Sequence, residues 1–129
     1  MLNDPLAAAL SKMLNAEKVG KKEVFVRPAS KMIKKVLTLM NEGGYIGTFE
    51  ETLDDKGGSL KINLLGNINK CGVVKPRFST KKDEYEKWEK RYLPAKDFGI
   101  IFVSTPKGVI THGEAKENKT GGKLLAYCY

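Results

Sequence analysis

Apolar residues in the first 65 positions switch between a helical spacing and a strand spacing. Two stretches carry apolar residues three and four positions apart, which is the spacing of one helix face. The members of these two stripes are Leu6, Ala9, Leu10, Met13 and Leu14, and then Ile33, Val36, Leu37 and Met40. The segments 23–27, 45–51 and 59–65 have the character of strands instead, with clear alternation in the first and last. Two helices covering one face of a small sheet would bury both stripes, so this half is predicted to fold as α-β-α-β-β.

Local residues predict where these helices begin and end. Asn3 or Asp4 is expected to cap the first helix and Ser30 the second, because their side-chain oxygens can accept a free N–H of the first turn. Gly20 and the pair Gly43–Gly44 are expected to end them.

The rest of the chain has the pattern of a mainly β lobe with short helices. Extended segments are predicted at 73–78 and 123–128, and the apolar run 100–103 is typical of a buried strand. Thr80 is expected to cap a helix that carries Tyr85, Trp88 and Tyr92 on one face, and Thr111 with Glu114 forms a capping-box pattern. A glycine-containing connector at 66–72 separates the halves. The predicted fold class is therefore α+β in two small lobes, residues 1–66 and 67–129.

Positive charge is concentrated in one part of the chain. The formal net charge is +8, and residues 70–96 alone hold nine basic and four acidic residues. A localised positive field attracts polyanions and releases their condensed counterions on binding. Nucleic acid is the favoured partner, with an anionic membrane surface the weaker alternative, because no helix has a basic face opposite a broad aromatic one.

Residue types suited to catalysis are few. His112 lies near Glu114, but acid–base chemistry on RNA usually needs two titrating groups that face one phosphate. Cys71 and Cys128 lack the spacing of a zinc site or a disulfide framework, which fits a reducing cytosol. We expect no enzyme activity, no metal and no cofactor. A small basic ribonuclease using His112 and a protein-interaction module using an exposed sheet edge remain as alternatives.

The segment Ser104–Gly108 is the strongest candidate for recognition. It is predicted as a polar loop that follows a buried strand, so a rigid scaffold would aim its hydroxyls, its ammonium group and its backbone N–H groups. Such a set can bind phosphates, ribose hydroxyls and base edges, although an ordinary polar turn is an equally good interpretation. Upstream, Lys75 and Arg77 lie among aromatic residues, a mixture that RNA-binding surfaces favour.

Several motifs resemble the small-subunit ribosomal protein eight family, in its archaeal and eukaryotic form. The most specific match is the C-terminal signature, residues 104–112, 114–115 and 121–129. Further matches are Asp4–Ala7, Pro28–Lys31, Gly44–Gly47, Ile68–Gly72, Lys75–Phe78 and Tyr85–Pro94. The resemblance runs nearly end to end.

The resemblance implies a structural RNA-binding protein of the small ribosomal subunit. It implies two lobes, binding to a helical element in the central domain of small-subunit rRNA, and a role in subunit assembly. The expected location is cytoplasmic, in the small subunit beside neighbouring small-subunit ribosomal proteins, with a monomer outside the ribosome and no membrane contact. The C-terminal lobe is expected to be the principal RNA-binding part.

The resemblance also assigns candidate RNA-binding residues. The residues that match the family's RNA-contacting loop are Ser104, Thr105, Lys107 and Gly108. Glu114 and the Gly121–Gly122 turn match positions that support this loop, and Tyr127 matches a position beside it. Pro106 departs from the commonest family residue and removes one backbone donor. Basic residues predicted to contact phosphates are Lys31, Lys34, Lys35, Lys75 and Arg77.

Overall fold

The chain forms two compact units, residues 1–70 and 71–129. A computed structural model describes residues 5–27, 30–52, 58–74, 77–95 and 98–129. Over these residues there are four helices and two antiparallel sheets, which confirms the predicted α+β fold in two lobes. The first unit ends at Lys70, and the segment before this residue is bonded within that unit: the N–H groups of Gly66 and Ile68 both donate to the Glu17 carboxylate.

The first unit has the predicted order α-β-α-β-β. Its elements are α1 (Pro5–Lys18), β1 (Glu23–Val26), α2 (Lys31–Glu42), β2 (Ile46–Thr52) and β3 (Ser59–Leu64). The sheet order is β1-β3-β2, with both pairs antiparallel. Helix α1 contacts β1 and α2, and α2 contacts β2, so the apolar faces of both helices are buried between helices and sheet.

Side-chain and backbone bonds fix the ends of these helices. The Ser30 hydroxyl accepts the N–H of Ile33 at 3.2 Å, which confirms the predicted cap of α2. At the other end, the Tyr45 N–H donates to the Met40 carbonyl at 2.9 Å as the chain turns through Gly43–Gly44. The predicted caps Asn3 and Asp4 of α1 lie outside the described residues.

The predicted stripes form the core of the first unit. Met13, Val36, Met40 and the β3 residues Leu60 and Ile62 are fully buried. Leu14 was expected on the buried face of α1 but is only partly buried, whereas Ala16 is buried, so the core-facing stripe is shifted around the helix from the predicted one. Burying each large aliphatic side chain contributes about 1.5–3 kcal/mol, which holds both helices to the sheet.

The second unit is built around its last strand. Its elements are β4 (Cys71–Val73), β5 (Ser79–Thr80), α3 (Tyr85–Tyr92), β6 (Ile100–Thr105), β7 (Gly108–Thr111), α4 (His112–Glu117) and β8 (Gly122–Cys128). The sheet order is β4-β8-β6-β7, and β5 also pairs with β8. Strand β8 therefore pairs with β4, β5 and β6.

The cap predicted for α3 is wrong. Thr80 is buried in strand β5 opposite Gly122, and its hydroxyl donates to the carbonyl of Lys81. Because Thr80 belongs to the strand, the helix begins only at Tyr85, and the Glu84 carboxylate accepts the Lys81 N–H at 3.0 Å across the intervening turn.

Candidate nucleic-acid interface

The segment predicted as a polar loop is a tight β-hairpin. Strand β6 extends through Ser104 and Thr105, which lie opposite Val109 and Gly108 of β7. Only the exposed pair Pro106–Lys107 connects the two strands. The prediction of a five-residue loop is therefore wrong, because the short strand β7 extends the pairing almost to the tip.

The turn at the tip has the residues that a type I turn favours. Pro106 occupies the second position, where its ring fixes φ near the required value of about −60°. Gly108 occupies the fourth position with a φ of 115°, which a residue with a Cβ rarely adopts. The tip is thus defined by backbone geometry and presents Lys107 to solvent.

Thr105 holds this turn together. Its side chain is 9% exposed, and its hydroxyl donates to the Gly108 carbonyl at 2.8 Å while accepting the Lys107 N–H at 3.2 Å. Two hydrogen-bonding directions of the hydroxyl are thereby used inside the hairpin. Thr105 was predicted to contact RNA; in the structure its hydroxyl is bonded to Lys107 and Gly108.

Two glycines let the neighbouring strands approach the hairpin closely. A methyl group on Gly122 would overlap the Ser104 carbonyl oxygen and lie 2.9 Å from the Val103 side chain. A methyl group on Gly121 would overlap the Thr80 carbonyl oxygen. The Gly121–Gly122 turn is thus packed against both β5 and the hairpin strand β6.

Glu114 lies one turn beyond the hairpin's second strand. The Thr111 hydroxyl accepts the Glu114 N–H at 3.2 Å, which confirms the predicted cap of α4. Since Thr111 is also the last residue of β7, the hairpin runs directly into this cap. The Glu114 side chain is exposed.

Sequence reasoning missed Lys123. This residue lies opposite Ser104 in the β6–β8 pairing, and it is exposed. Its ammonium group is the second one at this end of the sheet, after that of Lys107 in the hairpin turn. The signal was its position directly after Gly121–Gly122, but only the strand register places it beside Ser104.

Tyr127 lies apart from the hairpin. It pairs with Ile101, four positions further along β8 than Lys123, which corresponds to roughly 13 Å of strand. Its ring stacks instead with Tyr92 at 5.5 Å and with Tyr129 at 6.3 Å between ring centroids.

The predicted phosphate contacts are divided between the units. Lys31, Lys34 and Lys35 lie on α2 of the first unit, where Lys31 and Lys35 are exposed. The Lys34 ammonium is 2.9 Å from the Glu51 carboxylate, which partly neutralises it. Arg77 is exposed just before β5 in the second unit, and Lys75 lies outside the described residues.

His112 is buried and bonded within the second unit. It is 7% exposed; its Nδ1 accepts the Ile101 N–H at 3.0 Å, and its Nε2 is 3.3 Å from the Glu89 carboxylate. Because Nδ1 is an acceptor in this geometry, a neutral ring carries its proton on Nε2, facing Glu89. The same carboxylate pairs with the Lys116 ammonium. His112 thus links α4 to β6 and α3, an arrangement that favours a structural role.

Comparison with known families accounts for both halves of the chain. The family model for ribosomal protein S8 matches residues 4–129, nearly the whole sequence. The chain belongs to the ribosomal protein S8 family. Proteins of this family are structural components of the small ribosomal subunit that bind its rRNA, and this S8 protein is accordingly a small-subunit, rRNA-binding protein. The resemblance seen in the sequence motifs is confirmed at the level of the family. Within the described part of this S8 chain, none of the helices combines the length and apolarity that crossing a bilayer requires.

Proposed function

We propose that the β6–β7 hairpin binds a helical element in the central domain of small-subunit rRNA and that this binding supports subunit assembly. The observation that carries the proposal is a rigid hairpin whose exposed tip holds Lys107 and Gly108, with Ser104 and Lys123 side by side behind it. A scaffold that fixes hydroxyl, ammonium and bare backbone groups in one place suits an irregular RNA helix.

Each group near the tip has a distinct role in this proposal. The ammonium groups of Lys107 and Lys123 contact phosphates, while the Ser104 hydroxyl and the Gly108 backbone contact ribose hydroxyls or base edges. Thr105 contributes by fixing the turn. The exposed Glu114 carboxylate offers an acceptor to an amino group or a ribose hydroxyl.

Basic residues outside the hairpin supply attraction that does not depend on RNA sequence. Lys31, Lys35 and Arg77 are exposed and contact phosphates, with Lys75 added from the sequence pattern. Lys34 contributes less because Glu51 already compensates its charge.

We further propose the setting in which the protein works. It acts in the cytoplasm within the small subunit, beside neighbouring ribosomal proteins, and is of the archaeal and eukaryotic type. Outside the ribosome it is a monomer, and its function needs neither a cofactor nor a membrane. It recognises RNA without chemical catalysis.

A binding titration with hairpin variants tests this proposal. The ligands are a central-domain fragment of small-subunit rRNA and a plain duplex of equal length. Ser104→Ala removes a hydroxyl that contacts the RNA, and Thr105→Ala removes the hydrogen bonds that fix the turn. The double variant should therefore weaken fragment binding about ten-fold or more and leave duplex binding unchanged. Ser11→Ala, an exposed serine of α1, is the matched control. Wild-type affinity of the double variant for the fragment would contradict the proposal.

A further inference from the structure

Six aromatic rings of the second unit form a continuous series that we term the aromatic row. Its members, in order of contact, are Phe78, Trp88, Tyr92, Tyr127, Tyr129 and Phe98. The five successive centroid distances are 5.0, 6.4, 5.5, 6.3 and 6.5 Å. The first four contacts are stacked, with interplanar angles of 22–28°. Each of the first five rings is therefore roughly parallel to its neighbour, whereas Phe98 is tilted by 50° to Tyr129.

Most of the aromatic row reaches solvent. Trp88 is only 4% exposed and anchors the row in the core of the second unit. Phe78, Tyr92 and Tyr127 pack against that core but stay partly exposed, and Phe98 at one end is 49% exposed. The exposed portions of these rings are available to a flat apolar ligand.

Cations lie directly over the rings. The Arg91 guanidinium carbon is 5.0 Å from the centroid of Phe78, 5.4 Å from Tyr92 and 5.8 Å from Trp88. The Lys87 ammonium is 4.7 Å from the Trp88 centroid. Both cations are exposed, so a ligand on these rings would meet positive charge beside an aromatic surface.

The surroundings strengthen this positive field. Segment 70–96, which supplies α3 and its cations, holds nine basic and four acidic residues. One of the four acids, Glu89, is buried and paired with Lys116, so it contributes little negative potential at the surface. The ligand that matches both stacked rings and positive charge is a chain of bases joined by phosphates.

We propose that the aromatic row is a second RNA-binding surface, which takes unpaired nucleotides. Bases stack on the exposed portions of Tyr92, Tyr127 and Tyr129, and Arg91 and Lys87 contact the phosphates between them. The surface is separate from the hairpin, since Tyr127 lies roughly 13 Å along β8 from Lys123. It needs only the RNA binding of the family, not the hairpin contacts proposed above. A protein partner is disfavoured because an apolar protein surface would gain nothing from the two cations.

A titration with a fluorescein-labelled uridine decamer, followed by anisotropy, tests this surface on the full chain. Tyr92→Leu and Tyr127→Leu should each weaken binding about five-fold or more, the usual loss for one base–aromatic stack. Arg91→Gln and Lys87→Gln change exposed side chains and should fold normally, and each should weaken binding and reduce its salt dependence. Matched controls are Phe25→Leu, an aromatic 55% exposed on β1, and Lys82→Gln, an exposed lysine of the same basic segment that has no ring contact among the described residues.

The outcomes separate this inference from the proposed hairpin function. Weaker decamer binding by the two tyrosine variants and by the Arg91→Gln and Lys87→Gln variants, with both controls at wild-type strength, supports the inference. The Ser104→Ala, Thr105→Ala variant should keep decamer binding even as it loses the rRNA fragment. If the folded Arg91→Gln and Lys87→Gln variants bind the decamer as tightly as wild type, the inference is overturned and the row becomes a candidate protein contact. Equal losses in the controls would also overturn it, because they would indicate unspecific attraction.

Discussion

Tyr85 shows how a single polar atom is accommodated in the core of the second unit. The side chain is 1% exposed, and its hydroxyl donates to the Thr120 carbonyl at 2.9 Å. Burial raises the pKa of Tyr85 above its ordinary value of 10.0, because the phenolate would lose its hydration. The hydroxyl thus links the first residue of α3 to the segment that follows α4.

Tyr85→Phe should lower stability by about 1 kcal/mol near neutral pH, the net value of one hydrogen bond. As pH rises, the unfolded chain loses the tyrosine proton near pH 10, before the folded chain does. The contribution of the protonated Tyr85 hydroxyl to stability is therefore complete below about pH 10 and falls as pH rises further. The difference in unfolding free energy between wild type and variant should therefore narrow at alkaline pH.

Denaturant unfolding of both proteins at about pH 7 and about pH 10.5 measures this difference on either side of the ordinary tyrosine pKa. Tyr129→Phe is the control, since its ring is partly exposed. A difference that is constant, or grows, with pH would show that the buried hydroxyl does not govern this part of the stability curve.

Residue types were readable from the sequence, but their partners were not. Ser30 and Thr111 were predicted as caps because a cap and its target are three positions apart. His112 accepts an N–H from Ile101, eleven positions away and on another element, and no spacing rule reports that distance. The same holds for Thr105, whose hydroxyl serves its own turn because Gly108 closes a hairpin.

Close approach between strands limits which residues the hairpin's neighbours can be. The backbone of β8 at Gly122 is so near Ser104 that a side chain of any size must push the strands apart. The orientation of Ser104, and of Lys123 opposite it, depends on this approach.

Gly122→Ala should destabilise the protein by about 2–3 kcal/mol, because the added methyl overlaps backbone that cannot move independently. Binding of the rRNA fragment should weaken even where the variant remains folded. Thermal unfolding and titration below the melting point give the two effects separately.

Gly113→Ala is the control for this substitution. Gly113 lies in α4, where a methyl group would meet only the Thr111 hydroxyl at 3.9 Å. Replacing glycine by alanine inside a helix contributes up to about 1 kcal/mol of stability, so this variant should be at least as stable as wild type. Equal behaviour of the two variants would refute the close-approach argument.

Whole elements with a strong period were predictable, and short ones were not. Helix α2 has both ends and its buried face as predicted, because its stripe spans three turns between clear caps. Strand β7 is four residues long and follows Pro106–Lys107, which lacks the Asn-Gly or Asp-Gly pattern of common two-residue hairpins. The sequence pattern therefore predicted a loop where the structure has a hairpin.

At the scale of the molecule, hydrophobic periodicity determined the fold class, whereas strand register determined the candidate site. The register of the β6–β8 pairing, with an irregularity after Phe102, places Lys123 opposite Ser104. The same register places Tyr127 away from Ser104, opposite Ile101. The sequence positions of these residues contain no such information, since they lie about twenty positions apart.

Charge acts at the same scale. Binding to RNA should weaken steeply with salt, and each phosphate contact contributes about one unit to the slope of log K against log salt. Lys107→Gln should reduce that slope by about one, whereas Lys34→Gln should change it less because the Lys34 ammonium is 2.9 Å from Glu51. Titrations at several salt concentrations give both slopes. Equal slopes for the two variants would contradict the prediction that the exposed Lys107 contacts a phosphate more strongly than the paired Lys34 does.

The central place of β8 in the second sheet also has a consequence for synthesis. Strands β4 and β6 flank β8 but precede it in the chain, so a growing polypeptide carries both before the strand that joins them exists. At translation rates of about 5–20 residues per second, the first unit has all its strands several seconds before β8 is made. Between the synthesis of β6 and that of β8, the apolar residues Ile101–Val103 have an open strand edge where β8 will later pair, so the nascent second unit is exposed to incorrect pairing until its last strand is made.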